Sequence, residues 1–106
     1  MTDRLHSILA ELRRRLQALY GERLVRMVLY GSQARGDAEQ GSDIDVLVVL
    51  RGTVEPCEEI GRTIDDVADL SLQHSVVVAC VFVSDAEFQH ERSPLLLNVR
   101  REGIAV

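Results

Sequence analysis

The 106-residue sequence predicts an α/β fold, a small mixed β-sheet flanked by helices. Three observations carry that expectation. Apolar residues recur at helical spacing over residues 3–20 and again after Pro56. Three short runs rich in β-branched residues, at 25–30, 44–50 and 76–83, read as buried strands. Helical stretches separate or follow these runs, which is how a sheet acquires helical cover.

Taken in order, the first helix covers Asp3–Tyr20. Leu5, Ile8, Leu9, Leu12, Leu16 and Leu19 fall in one stripe about 100° wide at the helical step. Gly21 ends it, as a residue free to adopt positive φ. Within it, Arg14 points opposite the stripe while Arg13 and Arg15 flank it. That pattern predicts a solvated face with snorkelling stems rather than a nucleic-acid patch. Strands at 25–30 and 44–50 follow. Pro56 suits the first position of a second long helix, running to about residue 72. Ile60, Ile64 and Val67 mark its expected buried stripe, with Gly61 a weak point. The next strand spans 76–83. Ser84-x-x-Glu87 then forms a capping box for a short helix. Ser93 and Pro94 start a last helix. Leu95, Leu96 and Val99 are its expected buried residues, and Gly103 closes it. Ile104, Ala105 and Val106 make an apolar end suited to a sheet edge or a partner.

Composition bounds the function. Hydrophobic content of 46% against 27% charged excludes a disordered chain and supports a modest core. A single domain over 1–106 is expected. The net charge of −5 argues against loose nucleic-acid binding, which depends on neutralising phosphates. All the basic residues are Arg, a composition that suits fixed, fork-shaped donors. Cys57 and Cys80 lack metal-ligand spacing, and Cys80 is expected to be a buried free thiol. The polar N-terminus does not read as a signal peptide, and the longest apolar run is far too short to span a bilayer. A reducing cytoplasm is the expected location. His6, His74 and His90 have no partners at ligand spacing.

The chemistry concentrates in Leu29-Tyr30-Gly31-Ser32-Gln33-Ala34-Arg35-Gly36 and Ser42-Asp43-Ile44-Asp45. Gly31 permits a tight turn and close approach of a phosphate to the backbone. Residues 32–35 then suit the first turn of a helix, whose free amides and dipole favour an anion. The Ser32 hydroxyl and Arg35 guanidinium add donors. Asp43 and Asp45 stand at i and i+2, which in a strand places both carboxylates on one face, with Cα atoms roughly 6.5 Å apart. Paired carboxylates beside a triphosphate suit Mg²⁺ held partly by protein and partly by phosphate oxygens.

Gly31-Ser32-Gln33-Ala34-Arg35-Gly36 followed by Asp43-Ile44-Asp45 resembles the signature of the minimal nucleotidyltransferases, a branch of the polymerase-β-like superfamily. The resemblance runs over most of the chain. It implies a nucleotidyltransferase-like core without the usual second domain. It also implies Mg²⁺-dependent transfer of a nucleoside monophosphate, commonly AMP from ATP, to a hydroxyl. By the same resemblance, the chain would be the antitoxin of a HEPN-type toxin and would modify that partner protein. Carried over by position, Gly31 and Ser32 grip the triphosphate, Arg35 adds a phosphate contact, and Asp43 and Asp45 hold the metal and serve catalysis.

One departure stands out. Members often carry a third carboxylate on a later strand. The matching strand here, 76–83, has no acid on either face. Asp85 lies at the start of the helix that Ser84 and Glu87 cap, where its charge is favourable, and Asp65, Asp66 and Asp69 are expected to turn away on their helix, Asp69 nearly opposite the buried stripe. The alternative function is therefore an impaired nucleotide-binding or interaction module that neutralises a partner by covering it. A free-standing transferase acting on a small molecule is a weaker rival, since the chain is short for a substrate pocket of its own.

Overall fold

The computed structural model describes residues 2–106. Helix α1 (Asp3–Tyr20) and a 3₁₀ turn (Gly21–Arg23) lead into β1 (Leu24–Tyr30). One helical turn, α2 (Ser32–Arg35), and a loop precede β2 (Ile44–Leu50). Helix α3 (Pro56–His74), β3 (Val78–Ser84), α4 (Asp85–His90), α5 (Pro94–Glu102) and β4 (Ile104–Ala105) complete the order. The sheet runs β3-β2-β1-β4. β1 is antiparallel to β2 and β4, and β2 is parallel to β3, so the sheet is mixed.

Alternation along β2 divides the interior. Ile44, Val46, Val48 and Leu50 face α1 and α3 in the larger core, with Leu12, Leu16, Leu70 and Phe82. Leu47 and Val49 face the other way, onto Leu96 and Val99 of α5. Both faces of β2 are covered, which is why its run is continuously apolar. Asp45 shares the α5 face with Leu47 and Val49, one step nearer the strand's start.

The first helix has its expected bounds, with Thr2 capping it through Leu5 N–H at 3.1 Å. Its stripe shifts at the end. Leu19 is exposed, and Tyr20 is buried in its place. The Tyr20 hydroxyl donates to Glu59 Oε1 at 2.7 Å, so the ring fills the core while its polar tip is satisfied. The 13–15 tract is not a purely solvated face. Arg15 pairs with Glu11, Asp66 and Asp69 (3.3, 3.1 and 2.7 Å), tying α1 to α3, and Arg13 donates to the Val106 carbonyl.

The stripe expected on α3 is also corrected. Ile60 and Ile64 are 47% and 52% exposed, whereas Glu59, Thr63 and Leu70 are buried. Tyr20 and Arg62 satisfy the Glu59 carboxylate, and the Thr63 hydroxyl donates to the Glu59 carbonyl, so polar side chains occupy the inward face. In α5, Leu96 and Val99 are buried but Leu95 is exposed. β3 begins two residues later than expected, because the Val76 N–H is engaged at the end of α3, donating to the Ser71 carbonyl at 3.1 Å. The capping box on α4 forms with both its bonds, at 3.0 and 3.1 Å. Ile104 and Ala105 do join a sheet edge, opposite Leu29 and Val28. No helix is long and apolar enough to cross a membrane.

Candidate functional site

β1 and β2 run antiparallel with Tyr30 opposite Asp45. The end of β1, the Gly31 bend and the start of β2 therefore meet at one end of the sheet. Gly31 has φ +76°, a conformation that disfavours any side chain. A Cβ built on it would lie 2.6 Å from Asp45 Oδ2. The aspartate carboxylate thus packs directly on the bare backbone of the bend. The Gly31 carbonyl accepts from the amides of Ala34 and Arg35, closing α2, which ends in left-handed Gly36. Helical geometry leaves the first amides of that turn free to donate elsewhere. Gln33 Nε2 donates to the Ser42 carbonyl at 3.3 Å and braces the intervening loop beside the aspartates.

Asp45 is half-buried and Asp43 is exposed. Burial, and then the negative charge of Asp43, raise the Asp45 carboxyl above the usual aspartate range. Among the described residues no basic side chain lies within ion-pair distance of either carboxylate. Two adjacent anionic groups without a counter-charge fit a divalent cation. Among the described residues no cluster of three acids, histidines or cysteines has metal-site geometry. A Mg²⁺ ion held by two carboxylates would take its remaining ligands from phosphate and water, its ordinary preference.

Arg35 is differently engaged. It pairs with Asp37 at 3.2 Å and with Glu102 of α5 at 3.6 Å, on the surface. From the sequence, Tyr30 has no metal or phosphate role and is expected to pack at the strand end, within reach of a base. It stands across the ladder from Asp45 on the same face, and burial and then the Asp45 charge raise its hydroxyl. Its place immediately before Gly31 was the available signal.

No acid stands beside Asp45 on the neighbouring strand. Asp45 pairs with Ala79 of β3, and Val81 follows on the same face. Asp85 lies beyond the far end of β3, where its carboxylate accepts from Gln89. Asp66 and Asp69 bind Arg15 on the opposite side of the sheet.

The nucleotidyltransferase domain model matches residues 9–101. This chain belongs to that family. Its similarity to curated proteins agrees. It is 34% identical over 83% of its length to the Putative protein adenylyltransferase MJ0604 of Methanocaldococcus jannaschii, covering 83% of that protein. It is 28% identical over 68% of its length to the Putative protein adenylyltransferase MJ0141 of the same organism, covering 72% of it. Among solved structures, it resembles a chain of the crystal structure of a toxin–antitoxin with AMP-PNP. There the TM-score is 0.64 at 20% identity, over 91% of this chain and 69% of that one. A MntA-HpeT toxin–antitoxin mutant gives a TM-score of 0.62 at 16% identity, with the same coverage. At such identities these likenesses establish a shared nucleotidyltransferase-like fold.

Proposed function

We propose that this chain transfers a nucleoside monophosphate, AMP from ATP, to a hydroxyl of a partner protein. We infer further that it acts as the antitoxin of a HEPN-type toxin pair. The packing of the Asp45 carboxylate against the Gly31 bend carries the reading, because it brings the two proposed halves of the site together. The adenylyltransferase names of the relatives support the choice of AMP, and the toxin–antitoxin neighbours support the choice of partner.

In this reading Gly31 lets the phosphates approach the backbone, and Ser32 with the α2 amides donates to their oxygens. Asp43 and Asp45 hold Mg²⁺, which would neutralise developing phosphate charge. Arg35, on breaking its surface pairs, adds a phosphate contact. The acceptor oxygen attacks the α-phosphorus in line as the bond to the β-phosphate oxygen breaks. Pyrophosphate leaves, and the hydroxyl proton passes to solvent, since β3 offers no carboxylate beside Asp45.

That last feature favours a second reading. With Ala79 and Val81 beside Asp45, the chain binds nucleotide and silences its partner by covering it, without transfer. Incubating the co-purified pair with ATP labelled at the α-phosphate separates the two. Label on the partner, lost in Asp45→Asn, supports transfer. A partner silenced without label, even after both aspartates are removed, supports covering alone.

A further inference from the structure

Arg35 is the last residue of α2, one helical turn after Ser32 and therefore on the same side of that turn. Its guanidinium is shared. Nε lies 3.2 Å from Asp37 Oδ2, and Nη1 lies 3.6 Å from Glu102 Oε2. The two carboxylates differ in freedom. Asp37 sits two residues away in a loop, with 62% of its side chain open to solvent, and can follow the guanidinium when it moves. Glu102 ends α5, with 26% of its side chain open.

The backbone that carries Glu102 is tied down. Gly103 N–H donates to the Val99 carbonyl at 2.8 Å. A Cβ built on Gly103 would collide with that carbonyl oxygen and lie 2.5 Å from Val28 Cγ1, so no slack remains between the end of α5 and β1. Ile104 and Ala105 then pair with Leu29 and Val28. One further step along this antiparallel ladder brings Gly103 level with Tyr30, which sets Glu102 beside the Gly31 bend. Glu102 is thus an anchored carboxylate at the phosphate end of the proposed site. Among the described residues Arg35 is its one ion-pair partner.

We propose that Glu102 is a positioning residue of the nucleotide site, acting through Arg35: it withholds the guanidinium from the phosphate tail in the empty site and takes it back as pyrophosphate leaves. This rests on the transfer reading, in which the α-phosphorus lies at the Asp43–Asp45 metal and the β- and γ-phosphates lie on the α2 turn. The guanidinium carries one positive charge, for which Glu102 and the tail compete. When Arg35 turns to the tail, Glu102 is left without a counter-charge beside a polyanion, and like charges at that range repel. Nucleotide with a full tail therefore binds less tightly than Arg35 alone would allow. After the bond between the α-phosphorus and the β-phosphate oxygen breaks, the same repulsion acts on pyrophosphate, and the return of Arg35 to Glu102 favours its departure. The pair is partly exposed, so the effect is modest, about two- to fivefold in affinity, and salt screens it.

Calorimetric titration of the whole chain with ATP, pyrophosphate and AMP, each with Mg²⁺, tests this in the natural sequence, Glu102→Gln, Arg35→Gln and the double variant. Glu102→Gln binds ATP and pyrophosphate about two- to fivefold more tightly, and the gain shrinks in high salt. AMP, which lacks the tail, gains nothing. The gain is smaller in the Arg35→Gln background, where only repulsion remains to be relieved. Unchanged or weaker binding of ATP and pyrophosphate in Glu102→Gln overturns the proposal. So does an equal gain for AMP, or a gain as large without Arg35, since Glu102 would then act on the tail directly or through the fold. A natural chain that binds neither ATP nor pyrophosphate ends the transfer reading itself, and the proposal falls with it.

Discussion

The Asp45 carboxylate occupies the space that a side chain on Gly31 would need, with Oδ2 2.6 Å from where its Cβ would lie. A backbone bend and a carboxylate from different strands are therefore mutually dependent. The glycine lets the aspartate approach, and the aspartate leaves room only for glycine. Cross-strand pairing of Tyr30 with Asp45 fixes that meeting point one residue before the bend.

Gly31→Ala meets both obstacles at once, an unfavourable φ of +76° and the Asp45 carboxylate. Strain of this kind costs about 1–3 kcal/mol. The expected outcome is a folded protein with a lower Tm by calorimetry and a loss of nucleotide binding out of proportion to that change.

Asp45 makes stability depend on pH in the direction opposite to an ion-paired carboxylate. Burial, then Asp43, raise its folded pKa above the unfolded value, so folding favours the protonated form. That stability is complete at acid pH and is lost as pH rises through the interval between the two values. At neutral pH and without metal, Asp45→Asn should melt higher than the natural chain. Its advantage should shrink toward the acid end of a melting series, and Mg²⁺ with nucleotide should offset it at neutral pH.

Tyr20→Phe removes a donor from buried Glu59 and leaves Arg62 as the carboxylate's remaining side-chain partner. A hydrogen bond to a charged group contributes about 2 kcal/mol. Denaturant titration should show that loss. Nucleotide affinity should stay unchanged, since Glu59 opens α3 beyond the end of β2 remote from Asp45.

The limits of α1 and β2 were legible because the helical stripe and the β-branched run are strong local signals. The phase of α3 was not. Ile60 and Ile64 read as the inward face, yet Glu59 and Thr63 point in. What decides it is tertiary: Tyr20 comes from another helix to satisfy Glu59, and Arg15 holds Asp66 and Asp69 on the α1 side. At the site, the meeting of Gly31 with Asp45 could be anticipated from a bend and a strand start in succession. The Arg35 pairs with Asp37 and Glu102 could not, because Glu102 lies at the end of α5, far away in sequence.

Calorimetric titration of ATP into the chain with and without Mg²⁺, repeated on the Asp43→Asn, Asp45→Asn double variant, tests the site most directly. The geometry predicts Mg²⁺-dependent binding in the natural chain and its disappearance in a double variant that still folds. Equal ATP affinity in the two proteins would contradict it.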